Sequence, residues 1–457
     1  MDRKTMLKCA LKLAIPMMIQ NGITNAVGLV DHVMVGTLGT EQMTAVSIIS
    51  QLLYVFSLAL FGGLSGPGIY TAQFHGQGNT EGVRNSTRMK AHICIVCLVV
   101  SFSVLLIGET FLIHQYLHGE SGTIDTALTM QYAKNYLHIM IAGLPAMAVT
   151  QIYASTLRET GDSFKPMITG IISVFSDIFF NYLLIYGSLG FPRLGVAGAA
   201  IATVAARYLE MILLIVWTYA QKKRYPFIQG LWRTLLVPRA LCLEIWAKTA
   251  PLFINEFLWS ASVAVLTQCY AIRGVTVVAS LNISNILGNL FSVIFFSLGQ
   301  SVGILVGQSL GLGKFERAKK EAFTLTCFSG MLCVILAAIL ISLSGVFPSF
   351  YATTEDVTSL ATGFIIVTAV FFPAQGVLNG VYFTLRSGGK TMITFLFDSV
   401  YSLAVSLPLA FALCSRTNAS ILVIFAIIQM TDVLKILIGA ILIKKGIWIH
   451  TLAQEIA

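Results

Sequence analysis

The sequence predicts an all-α, polytopic membrane protein: twelve transmembrane helices in two parallel six-helix lobes related by a pseudo-two-fold axis along the membrane normal. Three observations predict it. The 457 residues are 56% hydrophobic and only 11% charged, with a mean hydropathy of +0.82. A soluble domain carries about 25% charged residues to solvate its surface, so this chain has too few. Its apolar stretches are each long enough to cross a ~30 Å hydrocarbon core, which takes ~20 helical residues. Finally, residues 16–81 fall without a gap on residues 251–316, the pattern of a transporter built twice around a central site.

The spans read, in order, as residues 10–36, 43–73, 90–115, 128–156, 166–187, 195–220, 245–271, 276–309, 322–346, 358–384, 392–414 and 421–443. They are continuously apolar, not alternating, which favours helices over a barrel. The first run follows a basic N-terminus, as in a signal peptide. It is too long, contains Asp31 and leads straight into another span, so it reads as helix one. Pro16, Gly22 and Gly28 would let that helix bend.

The repeat matches Pro16 with Pro251, Gly39 with Gly274, Gly68-Ile69 with Gly303-Ile304, Gln73 with Gln308 and Gly76 with Gly311. A second echo matches Pro145-Ala146 and Leu157-Arg158 with Pro373-Ala374 and Leu385-Arg386. Corresponding loops therefore lie on one side of the membrane, and each half has six spans. The division expected is an N-terminal lobe at 1–220, a linker at 221–244 and a C-terminal lobe at 245–457. The linker holds Lys222-Lys223-Arg224, Pro226 and Pro238, with Trp232, Leu235 and Leu236 suited to a short interfacial helix.

Net charge is +9, but the positive residues are asymmetric. Arg84, Arg88, Lys90, Arg158, Lys165, Arg317 and Arg386 fall on one side, and little beyond Arg193, Arg273 and Arg416 on the other. The positive-inside rule places both termini in the cytoplasm. The charge is an orientation signal and nucleic acid is not an expected partner. Eight scattered cysteines make no disulfide framework, and Cys94-x-x-Cys97 lies at lipid depth without ligand histidines. Ser387-Gly388-Gly389-Lys390-Thr391 is a near miss for a phosphate loop, with Thr384 where the first glycine belongs. No zinc, hydrolase or other catalytic motif is present. The chain is not read as an enzyme and no cofactor is expected.

Acids inside spans are costly, roughly 2.5–3.5 kcal/mol on insertion scales, and point to function. Six are weighed: Asp31, Asp177, Glu210, Glu256, Asp398 and Asp432. Glu210 follows Arg207 by three residues and Asp432 precedes Lys435 by three, so each has a partner on its own helix face. Asp31, Asp177 and Glu256 have none. At 1.5 Å per residue, Asp31, Asp177, Asn181 and Thr203 reach similar depth from three helices of one lobe, compatible with one cavity. Glu256 lies near the midplane, where the repeat sets Asn255-Glu256 opposite Gln20-Asn21. His32 points about 100° away from Asp31 and reads as a packing histidine.

Three stretches resemble motifs of MATE (multidrug and toxic compound extrusion) transporters of the bacterial type. They are Val30-Asp31-His32-Val33-Met34-Val35-Gly36-Thr37-Leu38-Gly39, Leu157-Arg158-Glu159-Thr160-Gly161-Asp162-Ser163-Phe164-Lys165-Pro166 and Gly195-Val196-Ala197-Gly198-Ala199-Ala200-Ile201-Ala202-Thr203. The resemblance covers nearly the whole chain. It implies efflux of cationic, amphiphilic organic compounds by alternating access, in antiport with H⁺ or Na⁺, from a monomer in the inner (plasma) membrane lipid. Asp31 matches the family's coupling aspartate and Thr203 a hydroxyl near it. On helix five Asp177 precedes Asn181, the reverse of the order common in bacterial members, and a Na⁺ site at Asp31, Asp177 and Asn181 is one implied use. Glu256 resembles a helix-seven glutamate of Na⁺-coupled members. The helix-ten acid of those members is missing from 358–384, leaving Asp398 as the second-lobe acid. A major-facilitator antiporter would carry Gly-x-x-x-Asp-Arg in the loop that here reads His75-Gly76-Gln77-Gly78-Asn79-Thr80. A lipid-linked oligosaccharide flippase of related fold would line its cavity with arginines instead of acids.

Overall fold

A computed structural model describes residues 2–117, 125–351 and 353–452; the ends of the two expected lobes at residues 1 and 453–457 lie outside it. The described residues are helical, without strands. The helices are α1 (Arg3–Gly36), α2 (Thr40–Gln77), α3 (Thr80–Ile107), α4 (Glu109–Leu117), α5 (Thr126–Ile141), α6 (Leu144–Glu159), α7 (Phe164–Tyr186), α8 (Val196–Ala220), α9 (Arg239–Ala271), α10 (Val275–Gly311), α11 (Phe315–Leu343), α12 (Glu355–Ser387), α13 (Thr391–Phe395), α14 (Leu407–Arg416) and α15 (Ile421–Lys444). Among the described residues eleven helical segments are long and apolar enough to span a bilayer, α13 to α14 counting as one. The pair α5–α6, bent by 45°, makes twelve. Pro145 stands in the first turn of α6, just past the bend, where a missing amide donor is tolerated. Its repeat partner Pro373 sits inside an unbroken α12.

Several helices outrun the spans read from hydropathy, because a helix continues past its apolar part into charged turns. Thus α3 begins at Thr80, before the span read from residue 90, and Lys90 has no exposed surface. Its ammonium contacts Glu159 at 2.5 Å, Ser155 at 2.9 Å and Thr156 at 3.0 Å. A lysine counted as an orientation signal is therefore also half of a buried ion pair. Between α13 and α14 the chain widens into π-helical turns at Leu396–Val400 and Ser402–Ser406, a distortion often found at functional sites. All eight cysteines are free thiols.

The chain forms two compact units. One holds residues 19–68 and 83–242, the other 1–18, 69–82 and 243–457. In the first, Ser173 of α7 donates to the Ala206 carbonyl of α8 at 2.8 Å, and Gly198 of α8 abuts the Leu184 backbone of α7. The segment expected to be a short interfacial helix instead makes two 3₁₀ turns, Pro226–Ile228 and Leu231–Arg233. It is held down by hydrogen bonds: Arg84 donates to the Pro226 and Phe227 carbonyls, Arg88 to Gly230 and Leu231, and Trp232 to the Tyr153 hydroxyl. Phe227, Ile228 and Leu231 are buried as a result, while Leu235 and Leu236 stay exposed. Tyr225 donates to Asp162 at 2.5 Å. Burial, and then that carboxylate, hold the phenol above its usual range.

In the second unit a core of Val302, Val306, Leu325, Val381, Leu385 and Trp448 also takes in Leu13 and Met17 from the start of α1. The end of α2 crosses the end of α10 at very short range. A methyl group on Gly76 would meet the Gln308 carbonyl oxygen at 2.1 Å, and one on Gly311 would meet the Gln73 carbonyl oxygen at 2.0 Å. Only glycine admits backbones this close. Gln73 is fully buried there, donating to the Ser387 carbonyl at 3.0 Å and accepting from the Leu452 amide at 2.9 Å.

Candidate functional site

In the first unit α1, α7 and α8 bring their polar groups together. The Thr37 hydroxyl, one residue beyond α1, meets the Tyr186 hydroxyl at the end of α7 at 3.1 Å, and Tyr186 also donates to the Met34 carbonyl. With α1 pinned to α7 in this way, Asp31 faces Asn181. The amide nitrogen of Asn181 lies 3.0 Å from Asp31 Oδ1 and 3.5 Å from Asp177 Oδ1, one turn back on its own helix. The Ser173 bond to α8 fixes the register that sets Thr203 against the Asp177 carboxyl.

Asn181 is 1% exposed and its Oδ1 has no hydrogen-bond partner. Leaving a buried carbonyl oxygen unpaired is expensive, so the site holds an acceptor in reserve beside two carboxyls and a hydroxyl. These are hard oxygen donors, suited to a proton or an alkali cation rather than a transition metal. Among the described residues no cluster of three or more His, Cys, Asp or Glu is placed to hold a metal. Neither Asp31 nor Asp177 forms an ion pair with lysine or arginine among the described pairs. The nearest guanidinium influence on Asp177 comes from Arg207, whose Nη1 is buried and unpartnered.

His32, read from the sequence as a packing histidine, has a further neighbourhood. It lines a cavity of about 510 Å³ with Ser47, Ser50, Gln51 and Tyr54 of α2. Those four recur at three-, four- and seven-residue intervals, one polar stripe on a helix, a signal that was legible in the sequence and overlooked there. Glu210 also has company beyond Arg207, since Arg158 acts on it more strongly. Gln20 is engaged locally: its Oε1 accepts from Arg158 Nη2 at 2.9 Å, and its amide packs on Gly170. Asn21 is half-buried on α1. Pro16 lies inside α1, and a methyl on Gly22 or Gly28 would meet nothing within 4 Å.

The second unit's polar residues form a different arrangement. Asn255 of α9 is 1% exposed and fully engaged: Nδ2 donates to Asp398 Oδ2 at 3.2 Å, and Oδ1 accepts from Ser399 at 2.7 Å. Glu256 is buried, with Arg386 and Asp398 as the charges acting on it. Asp398, offered by the sequence as the second-lobe acid, is paired with a base. Lys435 reaches it from α15 at 3.6 Å, a contact set by the packing of α15 on the π-helical turns and invisible in local spacing. Lys435 also meets Asp432 at 3.3 Å, the pair read from the sequence.

The MatE family model matches residues 16–183 and again 251–414, so the second match begins 235 positions after the first, the offset of the internal repeat. Among curated proteins the chain is similar to "Probable multidrug resistance protein NorM" of Thermotoga maritima, 26% identical over 88% of this chain and 84% of that one. It is likewise similar to "Probable multidrug resistance protein YoeA" of Bacillus subtilis, 27% identical over 89% and 87%. Among solved structures, a mutant of the Vibrio cholerae MATE transporter VcmN superposes with a TM-score of 0.85 over 97% of each chain at 15% identity. An outward-facing multidrug resistance MATE family transporter superposes at 0.81, over 97% of each chain at 18% identity. Those superpositions establish the fold. Matched by the family model across both repeats, the chain belongs to the MatE family.

Proposed function

We propose that this protein is a secondary active efflux transporter that exports cationic, amphiphilic organic compounds in exchange for H⁺ or Na⁺. The observation that carries the reading is the convergence of Asp31, Asp177 and Asn181, two carboxyls joined through one amide and, among the described residues, in no ion pair with lysine or arginine. Ionised, the pair attracts an organic cation. When a proton or a sodium ion binds, the negative charge is neutralised and the attraction is lost, so the two cations compete for one site. Asn181 Oδ1 and the Thr203 hydroxyl would complete the oxygen set for sodium, and protonation of a carboxyl does the same electrostatic work. The cavity beside His32 falls in the 300–1,000 Å³ range of small-molecule pockets. The names of the NorM and YoeA relatives support drug-like cargo.

On this reading residues 1–220 and 245–457 act as two lobes joined by 221–244 and rock about the site in a monomer. Both termini are cytoplasmic, in the plasma membrane. The test is gradient-driven efflux of a fluorescent organic cation from vesicles. Asp31→Asn is expected to abolish the driven component while leaving folding intact, and full driven transport by that variant would overturn the proposal. Imposing the proton and sodium gradients one at a time identifies the coupling ion.

A further inference from the structure

The two units carry comparable pairs of acids, but among the described residues only the second unit's pair is occupied by a basic side chain. Lys435 is 5% exposed. Its ammonium lies 3.3 Å from Asp432 Oδ1, 3.6 Å from Asp398 Oδ1 and 3.2 Å from Ser402 Oγ, with the Tyr401 ring 5.3 Å away. The outer carboxylate oxygens are taken by neutral amides, Asp398 Oδ2 by Asn255 at 3.2 Å and Asp432 Oδ2 by Gln375 at 2.7 Å. Two carboxylate oxygens and a hydroxyl thus converge on one point, the kind of oxygen set that binds a hard cation, and the ammonium stands at that point. Further hydrogen bonds tie the surrounding helices: Tyr401 donates to the Thr431 carbonyl at 3.0 Å, and the Ser406 and Thr431 hydroxyls meet at 3.0 Å.

We propose that Lys435 is a specificity-determining residue, a tethered ammonium that fills the second unit's carboxylate pair and keeps sodium out of it. A cation held on the same helix as one of its acids competes at a high effective concentration that a free ion must overcome. Entry of sodium beside the lysine would set two cations against each other in a partly buried pocket. The coupling ion is then left to Asp31 and Asp177, where no lysine intrudes; this last clause alone rests on the transport reading above.

The experiment is the melting point of the purified full chain in about 300 mM sodium chloride against equimolar choline chloride, in an Asp31→Asn background that disables the first unit's pair. With Lys435 in place the two melting points are expected to agree within about 1 °C. Lys435→Gln is expected to melt roughly 2–4 °C higher in sodium, since a ligand that binds only the folded state raises its stability. Adding Asp398→Asn removes that rise, and Lys435→Arg shows none. A merely structural lysine would lower the melting point equally in both salts. The proposal is overturned if Lys435→Gln gains no sodium-specific rise. It is also overturned if the Asp31→Asn protein with Lys435 intact shows a rise that Asp398→Asn abolishes, a comparison that decides the matter even should Lys435→Gln fail to fold. Loss of driven efflux plays no part in these readouts, so the transport proposal and this one fail separately.

Discussion

Replacing Gly76 by alanine adds one methyl group where the structure has room for none. The new carbon would lie 2.1 Å from the Gln308 carbonyl oxygen and within 2.9 Å of its carbonyl carbon and Cα. An ordinary contact needs ~3.4 Å, so the ends of α2 and α10 must part by about 1.3 Å. Backbone atoms cannot rotate aside, which puts the strain at the upper end of overpacking, ~3 kcal/mol. Alanine returns ~1 kcal/mol through its better helix propensity, for a net loss of ~2 kcal/mol. Gly311→Ala is expected to lose the same amount, since its methyl would meet the Gln73 carbonyl at 2.0 Å. The double variant is the more searching test. One separation of the helices relieves both clashes, so the two losses should fall short of additive by about 1–3 kcal/mol, as for residues sharing a contact. Thermal unfolding in detergent, followed by the loss of the monodisperse peak, reads this out. Should Gly76→Ala melt at or above the parent, the crossing is not as tight as the geometry states.

Gly22→Ala and Gly28→Ala test helix bending cleanly, because among the described residues neither methyl meets an atom of another element within 4 Å. Both are expected to keep or raise thermal stability by up to ~1 kcal/mol, so a fall in driven efflux without a fall in melting point would mark bending of α1 as part of the cycle. Lys90→Met removes one partner of a buried pair whose ammonium is wholly enclosed, and is expected to lose ~3–5 kcal/mol. Glu159→Gln in the same chain should recover part of that loss in a double-mutant cycle, and no recovery would refute the pairing.

Much of the first unit's site was legible in the sequence, since depth along a helix is set by a fixed rise per residue. Counting from the apolar ends put Asp31, Asp177, Asn181 and Thr203 at one level, and the structure brings them to one place. The second unit was harder to read. Lys435 sits with Asp432 by helical spacing, which sequence reveals, but its reach to Asp398 depends on how α15 packs against the π-helical turns. The same limit hid the bond that commits Gln20 to Arg158, 138 residues away. Apolar run lengths also understate helices whose charged turns are buried by pairing, as at Lys90.

The crossing of α2 and α10 has a consequence for how the duplication persists. Ala72 and Gly307, where a methyl on the glycine would meet the Ala72 methyl at 3.2 Å, are the same position in the two copies, as are Gln73 and Gln308, and Gly76 and Gly311. Each copy is thus the environment of its twin, in the isologous manner of a homodimer interface. Two separate chains, each holding one copy, could clasp in the same way. A side chain larger than hydrogen at either glycine would press on the backbone of the other copy, so at this crossing the fit of each copy depends on the residue its twin carries.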